Sequence, residues 1–374
     1  MERSIELLAD LVSIPSVNPM GRSGEGREYG EEQIAGHVAA YLRTHAVDVE
    51  ISEVAAGRPC VVGHVDSHAG ETLLLEAHLD TVQGERMAIE PFKAAIEDGR
   101  LYGRGSCDAK GSLAAFFFAV CSLLGSKRKL KRNVVLLAVP DEEYRFTGAL
   151  HAVSRGLRAD WGIAGEPTCL NVVRAHKGVT RWKIVARGMA AHSAYPERGR
   201  NAIFAMGQAL VRIDLYAGLL REGQGHPLLG VPTLGVGVIE GGQAVNVVPD
   251  RCWVEVDRRT LPGETAGTVT DPVKRLLEDL PDLELETPYL SVPAMEVGAD
   301  SPFLKTLSEA ILGVTGSAAF EVAHYATDAG IYGAAGIPTV VFGPGDIAQA
   351  HTEREFIDLN QYQAAIRIIQ RLLV

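Results

Sequence analysis

Basic residues are in deficit in this chain of 374 residues, where 36 Lys and Arg stand against 47 Asp and Glu for a formal net charge of −11. That balance argues against nucleic acid or an anionic membrane as the main partner, since both are held by clustered cationic surface. The one basic run, Lys127 to Arg132, follows a helix-like stretch closed by Gly125 and reads as a solvated helix end, where cations complement the helix dipole. Cysteines are few: Cys60, Cys107, Cys121, Cys169 and Cys252 are scattered, odd in number and form no CxxC pair, so reduced thiols in a cytoplasmic setting are expected. Long hydrophobic runs are missing as well. The longest, Leu113 to Leu124, is well short of the roughly 20 residues of a membrane span and reads as a core helix. Met1 to Val12 mixes charge with apolar residues at helical spacing, an amphipathic helix rather than an address signal. No fixed-period repeat or low-complexity tract argues for a solenoid or a disordered chain.

What is present is enough sequence for two domains and a large core. Leu73-Leu74-Leu75, Val134 to Val139, Trp161 to Ala164 and Thr339 to Phe342 read as buried strands, with helix-like segments such as Lys110 to Leu124 between them. The pattern predicts an α/β domain, a mixed and mainly parallel sheet flanked by helices, built from residues 1–176 and 292–374. Ligands of such sheets gather at the carboxyl ends of the strands. From 177 to 291 the pattern turns to half-exposed strands. We expect strand, helix (Asn201 to Leu210), two strands around a turn at Pro249-Asp250, helix (Thr268 to Leu277) and strand (Leu283 to Leu290), a ferredoxin-like βαββαβ insertion.

The strand ends carry the chemistry. Amide hydrolysis near neutral pH needs a nucleophilic water, stabilisation of the oxyanion and a proton carrier for the leaving amine. A pair of divalent ions about 3.5 to 4 Å apart, held by imidazoles and carboxylates, supplies the first two. In Glu76-Ala77-His78-Leu79-Asp80 a histidine ends a strand with a carboxylate two residues on, placed to orient the imidazole, although an isolated HxD is more often an ordinary histidine. Gly103-Arg104-Gly105-Ser106-Cys107-Asp108 has glycines that permit unusual backbone angles where Asp108 would face a metal at a helix start; a dinucleotide loop would need glycine in place of Asp108, and the Walker pattern is absent. Asp141-Glu142-Glu143 and Gly165-Glu166-Pro167 close two more strands, each alone also compatible with a solvated turn, and Gly343-Pro344-Gly345 leads to His351. Together they are hard to ascribe to coincidence.

These motifs, in this order and over nearly the whole chain, resemble the M20 metallopeptidases, which include acetylornithine deacetylase, succinyl-diaminopimelate desuccinylase, aminoacylase and glutamate carboxypeptidase. The resemblance implies a zinc-exopeptidase-like catalytic domain with two Zn2+ per subunit, Co2+ or Mn2+ being substitutes. Asp108 would bridge the ions, one held also by His78 and Glu166, the other by Glu143 and His351. Glu142 would be the general base and Asp80 would orient His78. Gly188 to Pro196 resembles the lid motif, so that His192 would reach the active site of a partner subunit and the insertion would serve as lid and dimerisation domain of a homodimer. Asn246, and Arg259 in a DxRxxPG pattern, would bind substrate, Arg259 through a bidentate clamp on the α-carboxylate, with Arg258 structural. The segments around Thr327 and Gly345 look most like the acetylornithine deacetylase branch, which makes both substrate-binding candidates and points to a small-molecule N-acyl amino acid. A carboxypeptidase or dipeptidase, a desuccinylase and, from another class, a non-catalytic amino-acid-binding relative are the alternatives; neither Glu142 nor a ligand position is missing, as the last would require.

Overall fold

A computed structural model describes residues 2–22, 24 and 26–374. The chain divides into two compact units, the first running to Arg174 and resuming over Glu296–Glu321 and Thr327–Val374, the second comprising Ala175–Met295 and Val322–Ala326.

In the first unit, Asn133–Val139, Thr72–His78, Trp161–Ala164 and Thr339–Val341 lie side by side and parallel. Arg58–Val65 and then Asp48–Ala55 extend the sheet antiparallel on one side, and Val172–His176 pairs antiparallel with Thr339–Val341 on the other. The central strands are apolar at nearly every position because helices cover both faces. Glu2–Ser13, Lys110–Gly125, Pro302–Thr315 and Leu359–Leu373 pack together on one face, and Thr147–Ser154 packs with Asp328–Ala334 on the other. Lys110–Gly125 is buried almost all round, as its uniformly apolar sequence requires. Because the central strands share a direction, the residues that follow them meet along one edge.

The second unit has the order Gly178–Arg187, helix Ala202–Glu222, Thr233–Gly241, Arg251–Thr260, helix Ala266–Leu277, Leu283–Leu285. Its antiparallel sheet runs Thr233–Gly241, Arg251–Thr260, Gly178–Arg187, Leu283–Leu285, the ferredoxin-like arrangement. Both helices pack on the face that holds Trp182, Ile184, Cys252, Val254 and Val256.

Three local expectations need correction. The first helix of this unit runs to Glu222, not Leu210, its far half hidden from a periodicity reading by an apolar outer face. The long partner of Arg251–Thr260 is Thr233–Gly241, joined by a loop, while the residues before Pro249-Asp250 form only the short strand Val247–Val248, paired with Ala191–His192. The last strand breaks into Leu283–Leu285 and Leu290–Val292 around Pro288, which has no N–H to give the ladder. Ala202–Glu222 is also long and apolar enough to span a bilayer by length and composition alone. In the fold its Ala202, Met206, Ala209, Ile213 and Ala217 face is committed to the sheet.

Candidate metal centre

Four segments deliver side chains to one edge of the first unit. His78 is the last residue of its strand, Glu142 and Glu143 follow Asn133–Val139, Glu166 follows Trp161–Ala164, and Asp108 immediately precedes helix Lys110–Gly125. Asp108 lies between two imidazoles. Its Oδ1 is 3.0 Å from His78 Nε2 and its Oδ2 is 3.4 Å from His351 Nε2, so each carboxylate oxygen faces a different histidine. Glu166 Oε1 is 3.8 Å from His78 Nε2, and Glu143 Oε1 is 3.0 Å from His351 Nε2. The histidines differ in setting: the His78 side chain is 1% exposed and that of His351 51%. His78, Glu142 and Glu166 bring ligand atoms within 4.8 Å of one another, as do His78, Asp108 and Glu143.

Asp80 ties this cluster together. Its carbonyl oxygen lies 2.9 Å from His78 Nδ1, which leaves Nε2 to face Asp108. Its carboxylate accepts the backbone N–H of Glu142 on Oδ1 and of Glu143 on Oδ2, each at 3.1 Å. One residue thereby sets both the imidazole and the turn that presents two acids. The Asp108 turn has a support of its own, since the backbone N–H groups of Cys107 and Asp108 donate to Glu355 Oε1 at 3.0 and 3.1 Å, and Arg104 Nη1 holds Glu355 Oε2 at 2.5 Å.

The electrostatics are those of an acid cluster short of positive charge. Burial pushes the carboxyls of Glu142 and Glu166 well up and that of Glu143 up, with Asp108 adding to each by repulsion. For Asp108, burial is outweighed by His351 and His78, which hold it below the ordinary range. Burial opposes the His78 cation, but Asp108, Asp80 and Glu166 overcome it and raise that imidazole well above its usual value; hydrogen bonding to Asp108 and Glu143 raises His351 to about 10. Five carboxylates (Asp80, Asp108, Glu142, Glu143, Glu166) on two imidazoles suit two divalent cations, whose four charges would offset most of theirs.

In the second unit His192 and Asn246 are exposed neighbours: His192 pairs with Val247 across the short ladder, and Asn246 accepts the Ser193 N–H on its carbonyl. Along Arg251–Thr260 alternate residues are buried, so Arg258 points into the core, where it donates to Glu264 at 2.7 Å, while Arg259 points out, its Nε 2.8 Å from Asp257 Oδ1. Thr327 is buried and caps helix Asp328–Ala334, its hydroxyl accepting the Ala329 N–H at 3.2 Å. Gly345, at φ +95°, gives its N–H to Gln361 and its carbonyl to Cys169; a side chain there would meet Cys107 Sγ.

Sequence reading passed over Asn18, Glu31, Arg58 and Glu355, which support the centre from segments far along the chain and lie in no strand-end motif. It also passed over Asp328 and Glu76, fully buried acids whose carboxyls burial pushes up. A signal existed for Glu76 in the form of an acid within a buried apolar strand.

The sequence profile of peptidase family M20/M25/M40 matches residues 74–374. Acetylornithine deacetylase of Photorhabdus laumondii subsp. laumondii is 31% identical over 381 aligned residues, covering 99% of this chain and 96% of that protein. The acetylornithine deacetylase of Myxococcus xanthus is 34% identical over 80% of this chain and 78% of its own length. Among solved structures, an M20 family metallo-carboxypeptidase, Sso-CP2 of Sulfolobus solfataricus, superposes with a TM-score of 0.81 at 21% identity, covering 100% of this chain and 98% of that one. The Bacillus subtilis YXEP protein, described as a dinuclear metal binding peptidase from the M20 family, superposes at 0.69 with 19% identity over 99% and 96% of the two chains.

Proposed function

This chain belongs to peptidase family M20/M25/M40 and is a metallohydrolase of amide bonds, and from that premise we propose that it removes a small acyl group, acetyl first among them, from an N-acyl amino acid such as N-acetylornithine. The observation that carries the reading is Asp108, with one oxygen toward His78 and the other toward His351. Asp108 would be shared between two metal ions, one held also by His78 and Glu166 and the other by Glu143 and His351. Two Zn2+ held there would lower the pKa of a shared water and polarise the amide carbonyl. Glu142 stands beside His78 and Glu166 on a buried carboxyl whose pKa is already high, suited to take the water's proton and hand it to the leaving nitrogen. Asp80 keeps His78 in the tautomer that offers Nε2.

In this reading His192 of a second copy of the chain completes the site. Helix Ala202–Glu222 shows solvent an apolar stripe of Phe204, Val211, Leu215 and Leu219, and Thr233–Gly241 is the edge strand of its sheet. A second copy of this chain, adding edge to edge and stripe to stripe, would cover both, and the exposed His192 would then serve its partner's active site as an oxyanion donor. Arg259, pointing out of the sheet, clamps the substrate carboxylate, with Asn246 beside His192 as a second contact. Thr327 and Gly345 remain the other substrate-binding candidates of this reading, the Thr327 hydroxyl accepting the Ala329 N–H and the Gly345 N–H going to Gln361. The predominance of acetylornithine deacetylases among the relatives at 31–34% identity supports the substrate class.

The test is release of free amine by the zinc-loaded protein across N-acetylornithine, other N-acetyl amino acids, N-succinyl-diaminopimelate and simple dipeptides. Fast turnover of one acetylated amino acid upholds the reading; preference for a dipeptide makes the protein a peptidase, and silence with metal bound makes it a binding relative.

A further inference from the structure

Arg58 opens strand Arg58–Val65, toward the edge of the first unit's sheet, and it spends its guanidinium on two buried carboxylates at once. Nε donates to Glu31 Oε2 at 2.8 Å, Nη2 donates to the other Glu31 oxygen, and Nη1 donates to Asp141 Oδ1 at 2.8 Å. Asp141 immediately precedes Glu142 and Glu143 and sits at φ +71°, a left-handed backbone that an L-residue keeps only when its surroundings hold it there. They do so on every side. Thr147 Oγ1 donates to Asp141 Oδ2 at 2.5 Å, Phe146 N–H donates to its carbonyl at 2.6 Å, and Asn18 Nδ2 donates to its Oδ1 at 3.0 Å. The same Asn18 nitrogen donates to Asp80 Oδ2 at 2.8 Å, and that oxygen also accepts the Glu143 N–H. A continuous buried path therefore runs from Glu31 through Arg58 to Asp141, with Asn18 joining Asp141 to Asp80 and the base of the Glu142–Glu143 turn.

We propose that Arg58, anchored by Glu31, is a positioning residue for the metal centre, fixing through Asp141 the turn that aims Glu142 and Glu143. Within this path it is one cation among three acids, Glu31, Asp141 and Asp80, all with side chains at most 4% exposed or wholly buried. Its planar fork suits this position, because three N–H groups in one plane reach two carboxylates together, whereas a lysine ammonium in the same place keeps the charge but acts from a single point. Arg58 touches neither metal nor substrate; it acts by setting where the Glu142 and Glu143 backbone lies.

This inference rests on the two-metal reading above, and the experiment separates the two. Wild type and Arg58→Lys are loaded with Co2+, and the metal affinities, the visible absorption of the bound ion, and kcat and KM on the best substrate are measured on each. With Arg58→Lys folded, we expect kcat to fall by roughly 10- to 100-fold, the range found when a partner of a metal ligand is altered, KM to stay within about twofold, one ion to bind more weakly and its absorption band to change. Should Arg58→Lys fail to fold, Asp141→Asn, which keeps the shape of the acceptor and discards its charge, is expected to change the same readouts in the same direction. A folded variant that binds two ions as tightly as wild type, with the same spectrum and kcat, overturns the proposal for Arg58 and leaves the metal assignment standing. Failure of wild type itself to bind two ions overturns both.

Discussion

Polar side chains are what the first unit hides: His78, Asp80, Asp108 and Glu166 are buried, and around them Asn18, Glu31 and Glu355 are buried too. Apolar side chains are what the second unit shows, with Phe204 72% exposed, Leu215 66% and Val245 entirely in solvent, while its candidate residues His192 and Asn246 also face outward. Each arrangement has a cost. Buried carboxylates repel one another until cations arrive, and an exposed apolar stripe on a helix orders water until something covers it. The contrast teaches that the two units leave different things unmet, charge balance in one and apolar surface in the other, the first suited to metal ions and the second to the interface proposed above.

The sharpest way to break this comparison is Glu142→Gln, which alters one atom of the first unit. Turnover is expected to fall roughly 10²- to 10⁴-fold with metal content and melting temperature kept, as for loss of a general base; near-normal turnover would remove Glu142 from that role. Next in size is His192→Ala in the second unit, expected to lower kcat roughly 10²- to 10³-fold as for loss of an oxyanion donor. Mixing it with Glu142→Gln should restore part of the activity, because a hybrid dimer then contains one intact combined site. No recovery in dimers shown to have exchanged subunits would mean that His192 does not act across the interface.

A smaller effect should separate the units by pH. In the metal-free protein Glu142, Glu143 and Glu166 have native carboxyls raised by burial, so between about pH 4.5 and their native values the folded chain holds protons that the unfolded chain has lost. The raised His78 and His351 act with the same sign above about pH 6.5. Stability then falls as pH rises, so in chelator the melting temperature should be lower at pH 8 than at pH 5, and added Zn2+ should narrow or reverse the gap by taking the place of those protons. The lowered Asp80 and Asp108 lose their stabilisation only in more acid solution, outside this window. A melting temperature that climbs with pH in chelator would contradict the acid-cluster account. Smallest is Asn201→Ala, which removes the side-chain acceptor for the N–H groups of Ile203 and Phe204 at 3.0 and 3.1 Å and should cost about 1 kcal/mol of stability, measured by denaturant titration, with metal affinity untouched.

The sequence is most readable where one residue does its work next to the strand that carries it. His78 ends an apolar strand and Glu142, Glu143 and Glu166 come within a short turn of the next ones, so strand and ligand candidate are legible together, and the βαββαβ order emerges from alternating patterns. The supports were not, because Asn18 and Asp141 are 123 positions apart and Arg58 and Asp141 are 83 apart, and no local period connects them. Thr233–Gly241 escaped notice because Gly235, Gly237 and Gly241 interrupt its β-branched pattern. The far half of Ala202–Glu222 was lost for the reason that makes its outer face interesting: Val211, Leu215 and Leu219 fill the positions where a soluble helix usually carries charge.

Strand Thr339–Val341 lies between Trp161–Ala164 and Val172–His176, strands made long before it. As the chain leaves the ribosome, the stretch from Ala175 to Met295 has emerged nearly whole and can close its own sheet while the first unit still has a gap in the middle of its own. Until Thr339–Val341 is synthesised, the flank of Trp161–Ala164 that pairs with it has no strand beside it. The nascent first unit, with its candidate ligands already translated except His351, is thus the part of this protein that most needs shielding during synthesis.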